Sequence, residues 1–120
     1  NALFPRLVHI ACKQINSTLI HISTDCVFSG KDGQYSEESL HDSTNMYGVT
    51  KSIGESNEYC TIRTSIIGVD SNKCSLLSWI LTSENKQIFG YIDHHWNGVT
   101  CLQLAKVLGM YSQSQLPNMS

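Results

Sequence analysis

The chain has 120 residues, a length that suits one domain, and its 41% hydrophobic and 15% charged content supports a packed core rather than a disordered coil. A net charge of −2 without a basic stripe argues against nucleic acid as a partner, and no apolar run approaches the roughly 20 residues needed to span a membrane. Five cysteines with no Cys-x-x-Cys pair argue for reduced thiols rather than a zinc or disulfide framework, and so for the cytoplasm.

The N-terminal run Asn1-Ala2-Leu3-Phe4-Pro5 lacks the charged and apolar regions of a signal peptide. It also lacks a starting Met, so the sequence reads as part of a longer chain. Leu3, Leu7, Val8, Ile10 and Ala11 form a helical apolar stripe, and Pro5 fits the first turn, where its missing N–H does no harm. The segment 17–23 (STLIHIS) reads as a buried strand. Ser29-Gly30-Lys31-Asp32-Gly33 is a loop. Asp42-Ser43-Thr44-Asn45 is rich in capping residues and predicts a helix over 46–58. Residues 61–67 (TIRTSII) form a second strand ended by Gly68. Leu76, Leu77, Trp79, Ile80 and Leu81 predict another helix, 87–92 a short strand, and 99–110 a final helix. Asn16-Ser17-Thr18 and Asn118-Met119-Ser120 match the glycosylation pattern, which is too short to weigh.

Helices alternating with strands predict an α/β fold, a partial Rossmann-like parallel sheet flanked by helices. The expected domain organisation is one partial domain over 1–120. No Gly-x-Gly-x-x-Gly turn is present among the eight glycines, so the usual cradle for a dinucleotide pyrophosphate is missing from the sequence.

The chemistry concentrates at Tyr47-Gly48-Val49-Thr50-Lys51. A spacing of four places Tyr47 and Lys51 on one helix face. A free phenol titrates near ~10 and is a poor acid–base group at neutral pH, and an adjacent ammonium favours the phenolate. An exposed helix face explains such a pair equally well when it stands alone. Ser23-Thr24-Asp25 falls at the C-terminal end of a predicted parallel strand, the edge where open α/β sheets bind ligands. The Thr24 hydroxyl suits either a substrate carbonyl or a local cap of the loop.

The ordered segments His21-Ile22-Ser23-Thr24-Asp25-Cys26-Val27-Phe28-Ser29-Gly30, Gly33-Gln34-Tyr35-Ser36-Glu37, Tyr47-Gly48-Val49-Thr50-Lys51 with Gly54-Glu55, and Ile62-Arg63-Thr64-Ser65-Ile66-Ile67-Gly68 together resemble the extended short-chain dehydrogenase/reductase family. Within it they are most similar to the dTDP-4-dehydrorhamnose reductase group. Leu76-Leu77-Ser78-Trp79, Gly90-Tyr91 and Trp96-Asn97-Gly98-Val99-Thr100 extend the resemblance to relatives that make deoxysugars for surface polysaccharides. The resemblance implies reduction of the 4-keto group of a dTDP- or UDP-linked 4-keto-6-deoxy sugar with NADPH or NADH. It implies Thr24, Tyr47 and Lys51 as catalytic residues, with Thr24 on the reacting carbonyl, Tyr47 as acid–base and Lys51 supporting the phenolate. It places Tyr47, Lys51, Thr64 and Ser65 beside the cofactor, and Thr24, Asp25 and Cys26 beside the substrate.

The rhamnose-forming reductases commonly carry an aromatic residue at the position of Cys26 and a Trp at that of Ile66, so a related sugar is an equal candidate. His94-His95 lacks the companions of a metal site, and none is expected. Arg63 suits a phosphate or a structural ion pair, and Trp96 is expected to pack beside its turn. A nucleotide sugar is the expected partner, and a homo-oligomer is left open. The alternative is a regulatory or binding subunit on the same fold, as in the regulatory subunit of methionine adenosyltransferase, or an inactive truncated relic.

Overall fold

The structure, a computed structural model, describes residues 1–84 and 86–113. The Asn118-Met119-Ser120 pattern lies outside the described residues. The chain divides into two compact units, Asn1–Thr64 and Ser65–Ser120.

The first unit opens with helix α1 (Leu3–Gln14), which buries Pro5 and His9. The apolar stripe read from the sequence points the other way: Leu3, Leu7 and Ile10 are all more than half exposed. α1 ends in a left-handed residue, Asn16, at φ 56°. The N–H groups of Asn16 and Ser17 reach back to the carbonyls of Lys13 and Cys12, at 3.3 and 2.9 Å. Two orphan carbonyls at the helix end are thereby satisfied, and Asn tolerates that backbone better than most residues.

Strand β1 (Ile20–Ser23) pairs in parallel with β2 (Cys60–Arg63), in the register Ile20↔Cys60 through Ser23↔Arg63. Helix α2 (Met46–Gly54) lies between them in sequence, the order expected of a parallel crossover. Asn45 caps α2: its side-chain oxygen accepts the Gly48 N–H at 2.7 Å. The predicted helix ran to Glu58, whereas α2 stops at Gly54. The Tyr59 hydroxyl donates to the Gly54 carbonyl, and Glu55 turns into extended geometry. Tyr59 is itself buried, with the rings of His9 and His21 at 5.1 and 6.0 Å. Val27 is fully buried in the turn after β1.

In the second unit, β3 (Ile66–Ile67) pairs in parallel with β4 (Val99–Thr100), and α4 (Cys101–Gln113) follows directly. The predicted strand over 61–67 is thus two strands, each in its own sheet. Helix α3 (Leu76–Thr82) is capped by Ser75, which accepts the Ser78 N–H. Residues 87–92 form no strand. Phe89, Tyr91 and Ile92 stand almost fully exposed, without the ladder partner that their apolar pattern presupposes. The Trp96 ring packs over Gly98, the packing role expected for it. The α/β class with parallel strands agrees with the sequence reading. Among the described residues, no helix is long and apolar enough to cross a membrane.

Candidate functional site

The C-terminal end of β1 runs straight into a short 3-10 turn, Asp25–Val27. Thr24 caps this turn. Its Oγ1 accepts the Cys26 N–H at 3.2 Å and donates to Asp25 Oδ1 at 3.2 Å. Only 6% of Thr24 is exposed. The local cap anticipated as one reading of Thr24 is therefore present. It leaves the oxygen fixed at the strand's end, with its own O–H directed at the Asp25 carboxylate. Cys26 is a free, exposed thiol with Sγ 3.7 Å from Asp25 Oδ1.

α2 packs against this turn. The approach is close at Gly48, where a methyl group would overlap the Cys26 carbonyl oxygen and the Ser43 side chain. Tyr47, the preceding residue, is 51% exposed, and its hydroxyl bonds to no other described residue. Lys51 points inward instead: its Nζ donates to the Ile22 carbonyl of β1 at 2.9 Å. An ammonium carries three N–H donors, so two remain for other partners. Burial, and after it the positive charge of Lys51, pushes the nearby His21 below its ordinary value of 6.5, and Glu55 opposes this.

Thr64 follows Arg63 as Thr24 follows Ser23. Because Ser23 and Arg63 are register partners, the two threonines emerge at the same edge of the parallel pair. Ser65 belongs to the second unit, where its carbonyl accepts the Val99 N–H at 2.9 Å. Two clefts of about 320 and 340 Å³ adjoin α2, one beside Glu55 and Arg63, the other between α1, His21 and Lys51. Lys51 lines the second cleft, and Thr24 and Tyr47 line neither.

The sequence left Arg63 between two roles, and the structure gives it an ion pair. Its Nε donates to Glu55 Oε2 at 2.8 Å, and its Nη1 reaches the Glu37 carbonyl at 3.1 Å. Sequence reasoning took Glu55 only as part of a motif. The structure makes it a hub, bonded to Ser23 and Arg63 and close to His41, which its spacing in the sequence did not signal.

Tyr47 and Lys51, one helical turn apart, are the residues that could hold the hydroxyls of a nicotinamide ribose. The pyrophosphate is a different matter, since the chain contains no glycine turn to receive it, and both Gly30 and Gly33 face open space. A hydroxyl-bearing turn thus lies at the C-terminal edge of a parallel strand pair, beside the Tyr-x-x-x-Lys helix of an α/β unit. Residues 1–88 match the family described as the RmlD substrate binding domain, and the chain belongs to that family. It is also similar to a solved structure described as a hypothetical dTDP-4-dehydrorhamnose reductase from Sulfolobus tokodaii. The TM-score is 0.76 and the identity 28%, over 90% of this chain and 41% of that one. The chain thus spans well under half of that relative's length. No curated protein matches it.

Proposed function

We propose that the protein acts in the reduction of a nucleotide-linked 4-keto-6-deoxy sugar, dTDP- or UDP-linked, with NADPH or NADH, in the making of deoxysugars for surface polysaccharides. The cytoplasm is the proposed location, and 1–120 is read as part of one larger reductase domain. The observation that carries this reading is the seating of the Tyr47–Lys51 helix directly against the Thr24 turn.

Bound cofactor would supply the hydride. The half-exposed phenol of Tyr47 is free to give its proton to the oxygen left at C4. Lys51, held from beneath by the Ile22 carbonyl, keeps positive charge one helical turn from that phenol and offers its remaining N–H groups to a ribose. The Thr24 hydroxyl donates to the carbonyl oxygen by turning its proton away from Asp25, while its oxygen stays anchored by the Cys26 N–H. Asp25 and Cys26 border the sugar. Thr64 and Ser65 are assigned to the nicotinamide side.

Tyr47→Phe in the full-length protein tests the assignment. Positioned acid–base groups contribute about 10²–10⁴-fold, so turnover should fall by that order with little change in substrate affinity. The assay follows NADPH and NADH oxidation with several nucleotide 4-keto-6-deoxy sugars. Near-normal turnover in Tyr47→Phe would remove Tyr47 from the chemistry. Failure of the unmodified protein to reduce any of them would remove the reductase reading.

A further inference from the structure

Glu55 lies one residue beyond α2, with its side chain only 7% exposed. A buried carboxylate is costly unless its oxygens are engaged. Here Oε1 accepts the Ser23 hydroxyl, while Oε2 accepts Arg63 Nε–H at 2.8 Å and stands 3.7 Å from His41 Nε2. His41 is held in turn by Ser52 Oγ, 2.7 Å from its Nδ1.

The partners matter for where they stand. Ser23 and Arg63 are register partners and the last residues of their strands. Thr24 follows one and Thr64 the other. A single carboxylate thus joins both strand ends to the end of the helix that carries Tyr47 and Lys51. At the opposite end of α2, Gly48 abuts the Cys26 carbonyl in the turn that Thr24 caps. The helix is thus tied to this edge of the sheet at both of its ends, by close packing at Gly48 and by the carboxylate of Glu55.

We infer that Glu55 is a positioning residue, holding the Thr24 turn in register with Tyr47 and Lys51 through Ser23 and Arg63; the inference rests on the reductase reading given above. A carboxylate that merely stabilised the fold would leave the turnover of folded protein alone. One that sets the geometry lowers turnover while substrate binding persists, because a displacement of about 1 Å can cost on the order of 10²-fold.

The test uses the full-length protein with Glu55→Gln and, as a milder second change, Ser23→Ala, which leaves the Glu55–Arg63 pair intact. Two quantities are read on protein whose circular dichroism matches the unmodified form. The first is kcat and KM for ketone reduction. The second is the rate at which iodoacetamide alkylates Cys26, resolved by peptide mass spectrometry, with the exposed Cys74 as reference. For Glu55→Gln, kcat should fall about tenfold to a hundredfold with KM within about twofold. Cys26 alkylation should accelerate about threefold to tenfold, with Cys74 unchanged. Ser23→Ala should shift both readouts the same way by less, and it decides the matter alone if Glu55→Gln does not fold. Unchanged kcat in the folded variants overturns the inference, as does an unchanged Cys26 rate. If the unmodified protein reduces no substrate, the reductase reading fails, and the Cys26 rate still decides whether Glu55 holds the turn.

Discussion

Thr24 is bonded in both directions, accepting from Cys26 and donating to Asp25. Thr24→Val keeps the shape and loses both bonds. Turnover should drop roughly tenfold to a hundredfold, less than for Tyr47→Phe, since a single hydrogen bond to the reacting oxygen is lost. Lys51→Met removes a bond to β1 as well as a charge. It should weaken cofactor binding, read by fluorescence titration with NADPH, and lower the urea midpoint too. A loss of turnover without either effect would contradict the dual placement of Lys51. The helix that carries Tyr47 and Lys51 was legible from the capping residue Asn45 before it. The role of Glu55 was not, since a helix to residue 58 would have left it an ordinary exposed acid. Tyr59 and Gly54 end the helix first, and that local stop turns the carboxylate inward.

At the level of elements, the parallel pairing and the order strand, helix, strand were readable from alternation and capping residues. The break of 61–67 into two strands was not. Apolar periodicity cannot register which sheet a residue joins, because that is fixed by partners distant in sequence, such as Val99 for Ile66. The same limit explains 87–92, which has the composition of a strand and no ladder. Gly48 supplies a sharp test of packing against propensity. In an isolated helix, Gly→Ala stabilises by about 1 kcal/mol. Here the added methyl meets the Cys26 backbone oxygen, which cannot yield as a side chain would. Gly48→Ala should therefore destabilise the protein by about 1–3 kcal/mol in urea unfolding, the usual scale of overpacking. A stabilised variant would show that α2 does not sit against the turn.

The α3 region gives a prediction in pH. The Asp70 carboxylate accepts the N–H groups of Cys74 and Ser75, each at 2.9 Å, and the Ser78 hydroxyl at 2.8 Å. These bonds, the Cys74 N–H foremost, hold it well below its ordinary value of 3.8. A depressed folded-state value means the unfolded chain takes up its proton first. The stabilisation is present above about pH 4 and is lost as the pH falls from there into strong acid. Asp70→Ala should lower the thermal midpoint by several degrees at neutral pH. The gap from the unmodified protein should narrow steadily below about pH 4, as followed by circular dichroism. A gap independent of pH would mean that the charge of Asp70 plays no part.

For the whole molecule, the most telling feature is how much apolar surface stays outside. Leu3, Phe4, Leu7 and Ile10 of α1 are more than half exposed, and so are Leu40 and Met46. Val27 and Tyr59 are the buried hydrophobic side chains among the described residues. Apolar surface on this scale favours association. The 120-residue chain on its own should self-associate with rising concentration in sedimentation velocity. Leu7→Lys with Ile10→Glu should shift it toward monomer without loss of helix signal. A monomer at all concentrations would count against the exposed stripe.

The shared carboxylate also bears on the order in which the first unit assembles. Arg63 is 8 residues from Glu55, whereas Ser23 is 32 residues away. Each doubling of a closed loop costs about 0.6 kcal/mol in chain entropy, so the longer closure is harder by about 1.2 kcal/mol. The contact between Glu55 and Arg63 is therefore expected to form first, with β1 docking later onto an acceptor already in place. In stopped-flow refolding, Arg63→Leu should chiefly slow folding, and Ser23→Ala should chiefly speed unfolding. That outcome would put the Arg63 bond in the folding nucleus and make the Ser23 bond the latch that keeps the folded unit from opening.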